Sequence, residues 1–129
     1  MSWSRTPVAQ ALVAMVSAAT ANGVYVHETP PEIVNPLCVV VLRPVAVTYS
    51  GAAFAVDDVE LPVAIVGGLE ADDAIDDLKT TVRQTVEGDP TLKGVVAQAW
   101  PTGERNWRNI TGAGGIQLLY VELVLQIQM

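Results

Sequence analysis

The chain has 129 residues, and its composition is that of a packed globular protein. Half of the residues are apolar and 16% are charged, which excludes an intrinsically disordered chain. The formal net charge of -7 also excludes general electrostatic attraction to nucleic acid or anionic lipid. A single cysteine cannot form an internal disulfide, so nothing indicates an oxidising compartment. The length predicts a single domain over residues 1–129 with one core.

The first predicted element is an N-terminal helix over residues 6–22. Thr6-Pro7 is typical of a helix start and Asn22-Gly23 of a helix end. The segment also has features of a secretory signal peptide, including a small-residue cleavage pattern at Ala19-Thr20-Ala21. Gln10 interrupts the apolar middle, however, and the apolar residues recur on one helical face, so we expect a retained helix. These residues are Val8, Leu12, Met15 and Ala19.

Two strand candidates, Val24–His27 and Leu37–Leu42, enclose the proline-rich loop ETPPEIVNP. Each proline fixes its own backbone angle and pushes the preceding residue toward extended geometry, so the loop is predicted to be stiff and extended. Leu37–Leu42 is apolar at every position, which predicts a strand covered on both faces.

Further strands are predicted at Ala46–Ser50 and Val59–Val66, joined by a turn or arm with Phe54 near its middle. Val59–Val66 alternates between two faces as a strand does. Pro62 cannot donate a hydrogen bond to a neighbouring strand, so we expect its end of the strand to lie at an edge or outside the regular pairing.

The second helix is predicted over residues 71–87, where apolar residues recur at helical spacing and Gly88 and Pro90 follow as stop signals. Val95–Trp100 and Glu104–Ile110 are predicted strands, and TGAGG forms a hairpin tip. A terminal strand over 116–128 would span about 40 Å at about 3.3 Å per residue, so we expect part of it to reach beyond the subunit's own core. The fold class is therefore α+β, a mostly antiparallel or mixed sheet packed by two helices.

Three groups of residues could in principle carry chemistry. His27 and Cys38 could ligate a metal or form a nucleophilic pair, but structural metal sites usually need four ligands, and a thiol among valines is inert. The acidic cluster at Asp72, Asp73, Asp76 and Asp77 suits a solvated helix start better than a cation site. We expect no catalytic residue, no metal and no cofactor.

The segment ERNWRN, residues 104–109, interleaves Arg105 and Arg108 with Trp107. Arginine with an aromatic can bind single-stranded nucleic acid, but these residue types also anchor protein interfaces. In an acidic chain, a partner-binding arm is favoured.

The chain presents its segments in this order: the N-terminal helix, PPEIVNPLCVVV, VAIVGG, EADDAIDDL, EGDPTLKGVV, the strand with tryptophan and arginine, and YVELVLQI. In this order the chain resembles the tail terminator proteins of long-tailed bacteriophages, especially those of actinobacterial hosts. The resemblance extends over nearly the whole chain and lies in the order of the segments and the kinds of residues in them. Its most specific pieces are PPEIVNP, GDPTLKGVV and the glycine-tipped hairpin.

The resemblance implies a tail-tube-like fold and a non-enzymatic virion protein of the tail or neck, assembled in the host cytoplasm. Such proteins form a six-fold ring on the tail tube, end its polymerisation and join it to head-tail connector proteins, while DNA passes through the lumen without specific binding; no membrane is involved. Candidate interface residues on this interpretation are Pro30, Pro31, Ile33, Phe54, Arg105, Trp107, Arg108 and Tyr120. A connector, adaptor or tail-completion protein of the same neck remains an alternative, as does a small oligomeric cytoplasmic ligand-binding protein.

Overall fold

The computed structural model describes residues 3–21, 23–49 and 57–129. In chain order the elements are α1 (Arg5–Ala19), β1 (Tyr25–His27), β2 (Cys38–Val41), β3 (Ala46–Thr48), β4 (Asp58–Gly68), α2 (Asp72–Gly88), β5 (Gln98–Thr111) and β6 (Gln117–Gln128), with a short 3-10 turn at Ala113–Gly115. The strands form one sheet of order β1-β2-β4-β6-β5, and β3 pairs with β4 beyond the end of β2. β1 and β2 are parallel, whereas the other pairs are antiparallel. The predicted α+β class with a mixed sheet and two helices is confirmed.

Both helices pack on the same face of the sheet, which we call the helix face. α2 buries one stripe, and α1 buries a broader surface. These side chains meet alternate residues of β2, β4 and β6 in a single core. Because burying one such aliphatic side chain contributes about 1.5–3 kcal/mol, this layer supplies most of the stability. The α2 stripe consists of Ile75, Leu78, Val82 and Val86, and the α1 surface of Val8, Ala9, Ala11, Leu12, Met15 and Val16.

The opposite side of the sheet, the far face, holds a second and smaller apolar cluster. Its buried members are Cys38, Val40, Ala64, Val66, Leu118 and Tyr120. All four residues of β2 are therefore buried, two on each face. The strand is covered on both faces, as its uniformly apolar sequence predicts.

The backbone of β4 passes unusually close to α2 at Gly67. A Cβ atom at this position would lie 2.9 Å from both Cγ1 and Cδ1 of Ile75. A Cβ atom essentially never lies so close to a carbon atom of a non-neighbouring residue. Because Gly67 has no side chain, α2 can pack closely on the sheet at this position.

Pro62 does not lie at an edge, because it is buried in the central strand β4 and pairs with Val124 of β6. On its other side it lies outside the regular pairing, as the second alternative predicts, because the β2 ladder ends at Val63 and the β3 ladder begins at Glu60. The Pro62 carbonyl accepts a hydrogen bond from the Leu42 N–H at 3.1 Å, on the side of β2 and β3. The N–H and C=O of one strand residue point to the same side, so the missing donor falls in the gap between β2 and β3. The Leu42 carbonyl, which faces Pro62 and would accept the missing N–H, accepts a hydrogen bond from Arg5 Nε at 3.4 Å instead, so proline is tolerated there.

The prediction that the last strand reaches beyond the core is wrong. β6 pairs with β4 over eleven residues, Leu118 to Gln128, and with β5 on its other side. The two separate strands predicted at 95–100 and 104–110 are one bulged strand, β5, which begins at Gln98. The long strand at an edge of the sheet is therefore β5, not the C-terminal one.

The first helix also starts earlier than predicted, at Arg5, and ends at Ala19, which is exposed. Arg5, the first residue of α1, connects the helix to the sheet. Its guanidinium donates to the carbonyl of Val41 at 2.7 Å and also contacts the carbonyls of Leu42 and Glu28. One side chain therefore fastens α1 to the end of β2 and to the start of the proline-rich loop.

Candidate partner-binding site on the edge strand

β5 lies at the edge of the sheet, with β6 on one side and no further strand on the other within the described ranges. It is 14 residues long and mostly exposed. Unpaired N–H and C=O groups along such an edge are a template for pairing with another chain. This is the longest free edge in the described part of the molecule.

A bulge in the middle of β5 decides where its side chains point. Arg105 pairs with Glu122, yet Arg108 pairs with Tyr120, so β5 contains one residue more than β6 between these positions. Asn106 takes up the extra residue with a left-handed φ of 57°. Without the bulge, two residues three apart would face opposite sides; with it, both arginines lie on the far face.

The carboxylate of Glu122 is the centre of this bulge. Its Oε1 accepts hydrogen bonds from Arg105 Nε at 2.9 Å and Asn106 Nδ2 at 3.1 Å, and its Oε2 accepts one from the Tyr120 hydroxyl at 2.6 Å. Glu122 is only 6% exposed. Burial alone would raise the pKa of Glu122, but these three donors outweigh burial and lower it. The buried charge therefore holds β5, through Arg105 and Asn106, in its bulged shape.

Tyr120 connects this hydrogen-bond network to Arg108 at the surface. Its ring is buried and lies under the Arg108 guanidinium, whose carbon is 4.7 Å from the ring centre. Burial, together with the hydrogen bond to the Glu122 carboxylate, raises the pKa of Tyr120 to about 12. Tyr120 therefore stays neutral and donates a hydrogen bond to the Glu122 carboxylate, while Arg108 remains exposed above the ring.

On the helix face, Trp107 covers a cation held by α2. Lys79 Nζ lies 4.6 Å from the centre of a Trp107 ring and forms ion pairs of 2.8 Å with Asp76 and with Glu104. Burial would lower the pKa of Lys79, but the two carboxylates raise it, so the ammonium stays charged. Trp107 remains 46% exposed. The bulge thus presents an indole on one face of the edge and a guanidinium on the other.

The predicted interface residues fall into three sets. Pro30, Ile33, Trp107 and Arg108 are exposed, and Pro31 is half-buried. Arg105 and Tyr120 belong to the Glu122 network, and Phe54 lies outside the described residues. The sequence predicts Arg105 on a partner-binding arm, and in the structure its guanidinium also forms an ion pair of 2.9 Å with the buried Glu122 carboxylate.

Sequence reasoning missed Glu122, Lys79 and Arg5 as organising residues. Glu122 did leave a signal, because it is the only charged residue in the apolar strand YVELVLQI, and a carboxylate is rarely buried without a partner. Its charged partner could not be read from sequence, since Arg105 lies 17 positions away and reaches it only through the pairing of β5 with β6.

At one end of the sheet the proline-rich loop meets the glycine tip. Ile33, Val34 and Pro36 face Gly112, Ile116 and Leu118 across a cleft of about 140 Å³. We call this place the tip cleft; its lining also includes Asn35 and Ala113.

A second, larger groove of about 460 Å³ lies between α2 and β5. Arg83 and Glu104 line it from the helix and the strand, and Leu123 of β6 also contributes. It opens beside a second bulge of β5, where the Thr102 hydroxyl donates to the Val124 carbonyl at 3.2 Å.

Of the residues considered for chemistry, Cys38 and His27 lie on other strands than β5. Cys38 is fully buried in β2, and burial raises the pKa of its thiol to about 11, which keeps it protonated. His27 ends β1. Within the described ranges no three His, Cys, Asp or Glu side chains converge as a metal site would require. Of the acidic cluster, Asp76 pairs with Lys79.

None of the helices in the described ranges is long and apolar enough to cross a membrane.

No protein-family model matches the chain, and no curated protein matches it. Among solved structures, the chain is similar to one chain of a structure described as "Virion of native gene transfer agent (GTA) particle". The two are 9% identical, and the match covers 96% of this chain and 87% of that chain with a TM-score of 0.44. A TM-score below 0.5 does not establish a common fold, so function has to be argued from the residues of the chain.

Proposed function

We propose that the chain is a non-enzymatic virion structural protein that caps a phage tail tube as a ring, ends polymerisation of the tube and joins the tail to the head connector. One observation carries the proposal: the 14-residue edge strand β5, held in shape by buried Glu122, presents Trp107 and Arg108 on opposite faces. Tryptophan and arginine are the side chains most often found as energetic anchors of interfaces.

The irregularities of β5 favour a specific contact over indiscriminate strand pairing. Two bulges and Pro101 interrupt the ladder, and such features protect edges against aggregation. A partner therefore has to recognise side chains as well as backbone. A ring of identical subunits supplies such a partner, because each subunit presents one surface to the next.

The sequence resemblance to tail terminators supports the same role. The segments that carry it include the proline-rich loop and the glycine-tipped hairpin, which line the tip cleft together. The net charge of -7 is suited to a ring through which DNA slides without binding.

The competing hypotheses predict different behaviour. A connector, adaptor or tail-completion protein of the same neck would use the same anchors but bind a head component, not the end of the tube. A small ligand-binding protein would need the groove between α2 and β5, whose volume suits a small molecule. In that case Arg83 and Glu104, one from each wall, would have to recognise the ligand.

The proposal is tested by polymerising the tail tube protein of the same phage with increasing amounts of the full-length chain. We expect the mean tube length to fall as the ratio of chain to tube protein rises. Trp107→Ala should need at least tenfold more protein for the same effect, whereas the exposed α2 variant Thr80→Ala should act like the wild type. Unchanged tube lengths at every ratio, with binding to head particles instead, would favour the adaptor.

A further inference from the structure

Both ends of the sheet carry exposed apolar side chains, and the charged residues near them differ in sign. At the end where β4 finishes and β6 begins, Ile33 is 59% exposed, Leu69 46% and Ile116 62%. Two of these, Ile33 and Ile116, line the tip cleft of about 140 Å³, a space suited to one aliphatic side chain. Apolar side chains grouped around a cleft in this way are typical of an interaction site.

Two carboxylates lie close in the chain or in the sheet to residues of the tip cleft. Glu32 precedes the lining residue Ile33, and Glu70 comes two residues after Gly68, which pairs with the lining residue Leu118. Both are exposed, and neither has an ion-pair partner within the described ranges. The site therefore suits a partner that combines an apolar side chain with a positive charge.

The opposite end of the sheet presents that combination. In the segment 43–49, which follows β2 and includes β3, Val45 is 50% and Tyr49 74% exposed. Arg43 opens the segment, is exposed and has no carboxylate within ion-pair distance in the part of the chain that the structure describes. The Val45 N–H donates to the Glu60 carbonyl at 2.9 Å, so the segment is already held in an extended shape.

The cleft and this segment are too far apart to meet within one subunit. Val45 bonds to β4 at Glu60, whereas the tip cleft lies beside the end of β4 at Gly68. Eight residue steps at about 3.3 Å separate these points by about 26 Å. Contact between the two surfaces therefore requires two copies of the chain.

We propose that the segment 43–49 of one copy docks on the tip cleft of the next, with an apolar side chain in the cleft and Arg43 beside Glu32 and Glu70. The contact is heterologous, since each copy offers the cleft at one end and the segment at the other. Such contacts close into a ring or continue as a filament. This inference rests on the proposed function, because it identifies a contact by which the ring closes.

Disulfide trapping tests the contact, with Ile33→Cys and Val45→Cys made in separate full-length chains and mixed under mild oxidation. We expect cross-linked dimer in the mixture at several times the level of a control mixture of Ile33→Cys with Thr80→Cys. Native Cys38 should not contribute, because it is fully buried. A mixture no more cross-linked than this control would overturn the proposal.

A chain that carries both Ile33→Cys and Val45→Cys distinguishes a closed ring from an open filament. We expect a ladder of cross-linked species that stops at the number of copies in the ring; a ladder that continues beyond it would contradict ring closure by this contact. Failure here is distinguishable from failure of the capping function. Shortened tubes without cross-linking overturn this contact alone, whereas cross-linking with unchanged tube lengths overturns the capping role.

Discussion

Glu122 gives the edge strand its shape. Its carboxylate is almost fully buried, yet three side chains donate hydrogen bonds to it, one of them the charged Arg105. A buried carboxylate is tolerated when all of its hydrogen-bond donors are present. If its cationic partner is removed, the unpaired buried charge lowers the stability of the fold. The stability and the shape of the proposed interface therefore depend on the same group.

The first prediction concerns Arg105. Arg105→Ala should lower the free energy of unfolding by about 1.5–3 kcal/mol, because it removes a charged hydrogen bond from buried Glu122. Arg108→Ala is the matched control, since exposed Arg108 loses only its contact with the Tyr120 ring, worth about 0.5–1 kcal/mol. Urea unfolding measures both. Equal losses in the two variants would contradict the assignment of Arg105 to the network.

The second prediction concerns acid pH. The pKa of Glu122 is lower in the folded protein than its unfolded value of about 4.3, so its stabilisation is present above that value and is lost as pH falls through the folded pKa. Glu122→Gln should therefore be less stable than the wild type at pH 7, and the difference should shrink as pH falls below about 4.

Unfolding curves recorded from pH 7 to pH 2 check this. A stability difference that stays constant over the whole range would show that the charge of Glu122 is irrelevant and that only its shape matters.

Among the elements, α2 was predicted almost to the residue, because its apolar stripe and its glycine and proline stop signals are local. Other predictions failed, wholly or in part, for non-local reasons. The place of Pro62 depends on a gap between two partner strands, and the register of β5 depends on a bulge held by a side chain of β6. Neither partner is visible from the segment itself.

The third prediction tests how closely α2 lies on β4. Gly67→Ala should lower the free energy of unfolding by about 1–3 kcal/mol, because the new methyl group would overlap Ile75. Gly68→Ala is the matched control, since a Cβ there meets nothing within 4 Å. Thermal or urea unfolding of both variants checks the difference. Equal stability would mean that α2 can move away from the sheet without cost.

At the scale of the whole molecule, periodicity predicted the α+β sheet with two helices, while the proposed interaction surfaces depend on the topology. β5 became the exposed edge because β6, the longest predicted strand, took a central place between β4 and β5. The tip cleft arose because the sheet brings residues 33–36 beside 112–118. Sequence spacing alone cannot bring such distant segments together.

The fourth prediction separates assembly from folding. Trp107→Ala should leave the free energy of unfolding within about 1 kcal/mol of the wild type, because the half-exposed indole contributes mainly its contact with Lys79. The same variant should be deficient in capping. Circular dichroism of urea unfolding supplies the stability, and the tube-length assay supplies the activity. Equal loss of both would mean that Trp107 serves the fold instead of an interface.

The capping claim is tested most directly by electron microscopy of tail tubes polymerised in the presence of the full-length chain. The account predicts a closed ring on one end of most tubes, absent when the chain is omitted and strongly reduced with Trp107→Ala. Tubes whose two ends are bare and identical, while the chain remains free in solution, would contradict it.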